Sequence, residues 1–249
     1  MGRQTSDTAD ATHAVMRGAR AGLILALTAA CAAAVSPAPS QAPGKEAEAL
    51  ALDAATLARI TAVDPVHAET MGRQPTTLEV QPLPFYKRFR LLTANVSLPH
   101  KPLQFHYADD GTQAVYLSGA PEEVYKVNTA EGLALTADQV APYLRFFFSM
   151  AGGPGRELVE SPSDPPWLPA SESDPPLKAK RAAASGKISP LQVVPDGRGF
   201  RVTGTALQGD PHFTRADLVR LQLKVSPDGR VTIDTPTVLE ENVPIAASL

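Results

Sequence analysis

Residues 218–225, "LVRLQLKV", alternate without a break. Val219, Leu221, Leu223 and Val225 fall on one side, and Arg220, Gln222 and Lys224 on the other. A period of two puts one set of side chains against a core and the other in water, so the segment predicts a strand with one wet face. Ser226-Pro227-Asp228-Gly229 supplies the next turn, and "RVTID" the next strand. Just upstream, "ISPLQVV", Asp196-Gly197 and "GFRVTGTAL" read as strand, turn and strand. The last third is therefore expected to be an antiparallel meander.

From residue 76 onward, short β-type runs recur: "TTLEV", "FYKRFRLLTA", "LQFHY", "QAVYL" and "EVYKV", parted by Pro, Gly or Asp. Asp109-Asp110-Gly111 suits a hairpin turn between two of them. "RELVE" is one more short strand candidate. Nothing shows the β-α-β rhythm of a parallel sheet, and no internal repeat is visible.

A helical period takes over at residues 136–151. Val140, Leu144, Phe147, Phe148 and Ala151 share one face, and Tyr143, Phe146 and Met150 widen it. A helix apolar this far round is buried. Thr136 and Gln139 have capping-box spacing, and Gly152-Gly153-Pro154-Gly155 ends the pattern. Pro142 lies beyond the first turn and predicts a kink or a later start. A second helix is expected at residues 45–62, Ala/Leu/Glu-rich, with Leu50, Ala54, Leu57 and Ile60 on one face. Residues 161–186, crowded with Pro, Ser, Lys and Ala, read as a long mobile loop that Trp167 pins to the body. The expected fold is thus α+β. Residues 45–249 form a single domain with a mostly antiparallel sheet on one buried helix (136–151), preceded by an N-terminal helix (45–62).

The amino-terminal segment has a different grammar. Arg17 and Arg20 precede an apolar run at 21–30, then Ser36-Pro37-Ala38-Pro39. A positive start, a short apolar stretch and a small-residue exit describe a secretory signal over residues 1–30. The run is well short of the roughly 20 residues that span a bilayer. The first fifteen residues are polar and fit the scheme poorly, so a start at Met16 gives a cleaner signal. Cys31 is the sole cysteine. Leu27-Thr28-Ala29-Ala30-Cys31 resembles the end of a bacterial lipoprotein signal, with the leucine one position early. Residues 31–44, rich in Ala, Ser and Pro, read as the flexible tether of such a protein. Lipidation of Cys31 is the favoured reading. Ordinary cleavage at a neighbouring small-residue site competes with it, as does an uncleaved membrane tether. A catalytic cysteine is not expected in a signal or tether, where no ordered pocket surrounds it.

Composition narrows the function. The formal net charge is −3, unsuited to non-specific binding of nucleic acid or anionic lipid. Without a cysteine after Cys31, neither an internal disulfide nor a thiolate metal site can form. His67, His100, His106 and His212 show no metal-pair spacing, and Pro102 separates the middle two. Asp109-Asp110 and Asp210-Pro211-His212 could supply an acid and a base, but both sit in turn contexts that favour Asp for local hydrogen bonding. Ser118-Gly119 lacks the flanking glycine of a nucleophile elbow. Gly152–Gly155 lacks the Lys-Ser/Thr of a phosphate loop and ends a helix rather than starting one. "FYKRFR" interleaves aromatic and basic residues, as single-strand binders do. A strand edge guarded by charges explains it better.

The expected protein is an exported envelope lipoprotein of the periplasm or outer surface, acting as a non-catalytic binding module. No catalytic residue, metal or cofactor is expected. The membrane is met only through the lipid on Cys31, and the partner is an unknown envelope protein or a small ligand. The rival is a periplasmic hydrolase whose Asp and His groups are brought together by folding.

Overall fold

A computed structural model describes residues 48–151, 156–209 and 214–246. Its first sheet has five antiparallel strands in sequence order: β1 (Glu48–Ala51), β2 (Thr76–Pro82), β3 (Arg90–Val96), β4 (Leu103–Asp109) and β5 (Ala114–Tyr116). Two helices, α1 (Ala54–Val63) and α2 (Pro65–Arg73), connect β1 to β2. They bury Ile60, Ala68 and Met71 against Leu78, Leu92, Ala94, Val96, Phe105 and Tyr107. After β5 come α3 (Pro121–Glu131), α4 (Ala137–Ala151), β6 (Arg156–Val159), a 3₁₀ turn (Pro169–Glu172) and α5 (Pro175–Ser185). The chain closes with β7 (Gln192–Asp196), β8 (Gly199–Gln208), β9 (Arg215–Val225), β10 (Val231–Ile233) and β11 (Thr237–Pro244). The long β8–β9 hairpin is the spine of the second sheet. β7 and β6 share the outer side of β8, and β10 and β11 share that of β9, all antiparallel.

The α+β class and the antiparallel pairing are as the sequence predicts, but in two sheets rather than one. β9 keeps its alternation: Val219, Leu221, Leu223 and Val225 are buried, while Arg220, Gln222 and Lys224 are exposed. α4 lies over that buried face. Val140, Tyr143, Leu144 and Phe147 share a core with Val202, Ala206, Val219 and Leu221. Half of the expected capping box forms, since the Gln139 side chain accepts from the Thr136 N–H at 3.1 Å. The Thr136 hydroxyl instead donates to Asp138, at 2.6 Å. The helix runs through Pro142 without a later start.

Four expectations need correction. The helix predicted at 45–62 begins at Ala54, because Glu48–Ala51 pairs with β2 as an edge strand. Asp53 caps the helix, its carboxylate accepting from the Thr56 N–H at 2.8 Å and from the Thr56 hydroxyl at 2.9 Å. Backbone pairing outweighs the modest helix preference of "EALA". "EVYKV" is helical, lying in α3. Pro121 starts this helix, Glu122 and Glu123 favour its positive end, and Gly132 closes it in a left-handed conformation at φ +68. Val124, Val127 and Asn128 form its buried face. "FYKRFR" is a compact loop rather than a guarded strand up to Arg90. Phe85, Tyr86 and Phe89 enter the main core while Lys87 and Arg88 stay outside. The Glu131 carboxylate holds the loop by accepting from the backbone N–H groups of Lys87, Arg88 and Phe89. Finally, 161–186 is not a structureless loop. Asp174 caps α5, Ala184 is fully buried, and this helix packs with Val159, Leu207, Leu218 and Val243 on the far face of the second sheet. Trp167 does pin the segment: its indole N–H donates to Pro162 at 2.8 Å and its backbone bridges to Ile245.

One buried polar network joins these layers. The Tyr86 hydroxyl donates to the Asn128 side-chain oxygen at 2.5 Å, and the Asn128 amide donates to the Tyr143 hydroxyl at 2.8 Å and to the Asp228 carbonyl at 3.1 Å. The Tyr143 hydroxyl itself donates to the Gly229 carbonyl at 2.5 Å. Gly229 has φ +80, and a β-carbon there would lie 2.5 Å from Asn128 Nδ2, so the turn admits only glycine without rearrangement.

Candidate functional site

The inner face of β4 carries Phe105, Tyr107 and Asp109 at alternate positions, and each engages a different residue of the α1–α2 pair. The His67 ring stacks on Phe105, centroids 4.2 Å apart. The Tyr107 hydroxyl donates to Asp64 Oδ2 at 2.8 Å. Asp109 takes the Arg59 guanidinium side-on, Nε to Oδ1 at 2.7 Å and Nη2 to Oδ2 at 3.0 Å. A polar seam therefore runs through a contact that is otherwise apolar.

Asp64 stands at the joint of the helices. Its backbone N–H closes α1 on Ile60, while its carboxylate caps α2 through the His67 N–H. The same carboxylate lies 2.7 Å from His67 Nδ1. A carboxylate acceptor fixes the ring proton on Nδ1 and leaves Nε2 available in the neutral form. Burial works to raise the Asp64 pKa. The hydrogen bonds from Tyr107 and His67 outweigh it and hold the carboxyl below its ordinary value. Burial, reinforced by this bond, pushes the Tyr107 phenol up. The His67 side chain is about a third exposed, but no hydroxyl or thiol among the described residues is bonded to it. Half of a catalytic dyad is present, and no nucleophile for it stands among the described residues.

Beside the Arg59–Asp109 pair lies a cleft of about 230 Å³. Leu50, Leu78, Val80 and Leu92 form its apolar walls, and Asp53, Thr56, Arg59, Arg90 and Asp109 its polar ones. The bond to Asp109 raises the Arg59 pKa further, with burial opposing it. A wider hollow of about 510 Å³ runs along α4 and β6, beside the Arg145–Glu160 pair. It is the more open of the two.

The remaining sequence candidates do not converge on a site. Asp110 ties its turn, accepting from the N–H groups of Thr112 and Gln113 at 2.9 Å each. Burial opposes ionisation there, but these bonds and those from the two side chains lower its pKa to about 2. His106, on the opposite face of β4, meets the Thr93 hydroxyl at 3.2 Å, and burial lowers its pKa. His100 lies in an exposed stretch. The Ser118 hydroxyl donates to Glu123 at 2.7 Å. Cys31, Gly152–Gly155 and Asp210-Pro211-His212 lie outside the described residues. Among the described residues, no group of three His, Cys, Asp or Glu could hold a metal, and no helix is long and apolar enough to cross a membrane.

Sequence reasoning missed Arg59, Asp64 and Tyr107. One signal was on the page: Asp109 continues the alternation of Phe105 and Tyr107, which puts a carboxylate on a core-facing row. No protein-family model matches the chain, and no curated protein or solved structure does either.

Proposed function

We propose that this is an exported cell-envelope protein, anchored by lipid on Cys31, acting as a non-catalytic binding module. Its ligand, or a small group of its partner, enters the cleft beside α1. The state of the ionisable groups supports this most. Asp109 is committed to Arg59, Asp64 to Tyr107 and His67, and Asp110 to its turn, whereas an enzyme presents such groups to substrate. The cleft sets an apolar wall of Leu50, Leu78, Val80 and Leu92 against a polar one, and such convergent polar groups orient a small molecule that apolar walls hold. Export and anchoring rest on the signal pattern at residues 17–31.

The Asp64–His67 pair favours a second reading, a hydrolase, because a buried carboxylate orients an imidazole with a free nitrogen. The same geometry is accounted for by the capping of α2, and the lack of a nucleophile bonded to His67 among the described residues weighs against catalysis. Native mass spectrometry of protein purified from the envelope separates the two. The binding reading expects a bound small molecule that Val80→Trp, which fills the cleft, excludes. It fails if wild type and V80W carry the same added mass, or if the protein cleaves model esters in a way that His67→Ala abolishes.

A further inference from the structure

We propose that the cleft beside α1 takes a small carboxylate with a short apolar tail, a ligand class that rests on reading the protein as a binding module. Size sets the first limit. The cleft holds about 230 Å³, and a water molecule in the liquid occupies roughly 30 Å³. There is room for roughly eight non-hydrogen atoms, below the scale of drug-sized ligands.

The walls set the second limit. Leu78 and Leu92 are nearly fully buried, Val80 is half-buried and Leu50 is 42% exposed. These side chains suit an alkyl group, whose transfer from water is favourable by area alone.

Charge sets the third. Arg90 faces Asp109 directly across the β3–β4 ladder, so the two residues share a face. The Arg90 side chain makes no hydrogen bond or ion pair with any described residue. Arg59 spends Nε and Nη2 on Asp109 and Thr56, at 2.7–3.1 Å. Both N–H groups of its Nη1 have no partner among the described residues. Asp53 is already engaged by the N–H and hydroxyl of Thr56. The cleft therefore offers unspent guanidinium donors beside carboxylates that are occupied. A ligand carboxylate satisfies such donors in their preferred geometry. A ligand ammonium would have to compete with Arg59 for Asp109, and a neutral ligand would leave the donors to water.

The test follows the methyl resonances of Leu78, Val80 and Leu92 by NMR while the full mature chain is titrated with hexanoate, 1-hexanol or hexylammonium. The three probes share a tail and differ in head group. Hexanoate should shift these methyls and bind about tenfold more tightly than hexanol, the difference expected of a charge-assisted hydrogen bond. Hexylammonium should bind no more tightly than hexanol. Arg90→Gln, an exposed position, should weaken hexanoate toward the hexanol level, Arg59 Nη1 still donating, and leave hexanol unchanged. Equal affinity for hexanoate and hexanol, or an R90Q variant that binds hexanoate as well as wild type, overturns the carboxylate assignment while leaving the cleft a ligand site. If none of the probes moves the three methyls, the cleft itself is not a small-ligand site and both readings fall.

Discussion

Asn128 sits where the 83–89 loop, α3, α4 and the β9–β10 turn meet, and replacing it tests whether one side chain holds these pieces together. Its side chain is 3% exposed and makes three hydrogen bonds. In Asn128→Ala, the Tyr86 hydroxyl loses its acceptor in a buried setting, which costs about 1–3 kcal/mol. Tyr143 still donates to Gly229, and the Asp228 carbonyl lies on a turn that water can reach, so these losses add little. The space left by the amide adds about 1 kcal/mol. The sum is about 2–4 kcal/mol, a large part of the 5–15 kcal/mol that separates folded from unfolded domains. Asn128→Leu fills the space and isolates the polar loss. Combining it with Tyr86→Phe removes the stranded hydroxyl as well. The double variant should then be more stable than the sum of the single losses by about 1 kcal/mol or more. Urea denaturation followed by both tryptophan fluorescence and circular dichroism gives these energies, and coincident transitions justify two-state treatment. Additive single losses, or an Asn128→Leu cost below about 0.5 kcal/mol, would refute the network as a structural unit.

Phe147→Ala should cost about 3–5 kcal/mol, since Phe147 is 3% exposed against the second sheet; a loss under about 1 kcal/mol in the same assay contradicts that packing. The Asp64 pKa is lowered from 3.8 on folding, so its contribution is present above about pH 4 and fades as pH falls through the folded value. The penalty of Tyr107→Phe should accordingly shrink in urea titrations below pH 4, and a penalty that is flat with pH would be inconsistent with the bond to Asp64. Trypsin should cut slowly at Lys178, Lys180 and Arg181, which lie in α5 rather than a loop; early cleavage there, seen by mass spectrometry, would mean that the helix is not docked. The mature chain should begin at Cys31 with a diacylglyceryl group, which Cys31→Ser abolishes, because two or more acyl chains are needed for stable anchoring. An unmodified, soluble chain beginning at Ala33 or Val35 would show that the cysteine is discarded with the signal.

What the sequence made legible follows from the range of the interactions. β9 and α4 carry complete periodic faces, and each face is decided by one continuous burial surface, so local pattern and tertiary structure agree. α3 was misread because Val124, Tyr125 and Val127 have strand-like side chains, although Pro121, the two glutamates and Gly132 marked both helix ends. The 83–89 loop was misread because its aromatic residues are buried without any regular period. It is fixed by Glu131, more than forty residues away. In α5, two prolines at the start looked like loop formers, but they occupy the first turn, where a missing N–H is harmless.

The site was harder for a related reason. Its contacts join residues 43–50 positions apart, Asp64 to Tyr107 and Arg59 to Asp109, and no motif spacing survives such a separation. Yet the Asp109-Asp110 dipeptide shows how much the period of two contains. Consecutive strand residues point to opposite sides. One aspartate therefore bonds its own turn and the other is carried into the seam beneath α1. The turn preference of Asp explains Asp110 completely and Asp109 not at all. A carboxylate on a core-facing row needs donors from the opposing layer, and Arg59, six residues after the capping Asp53 on α1, supplies them. The alternation alone states that need, and the pair that meets it stands beside the cleft.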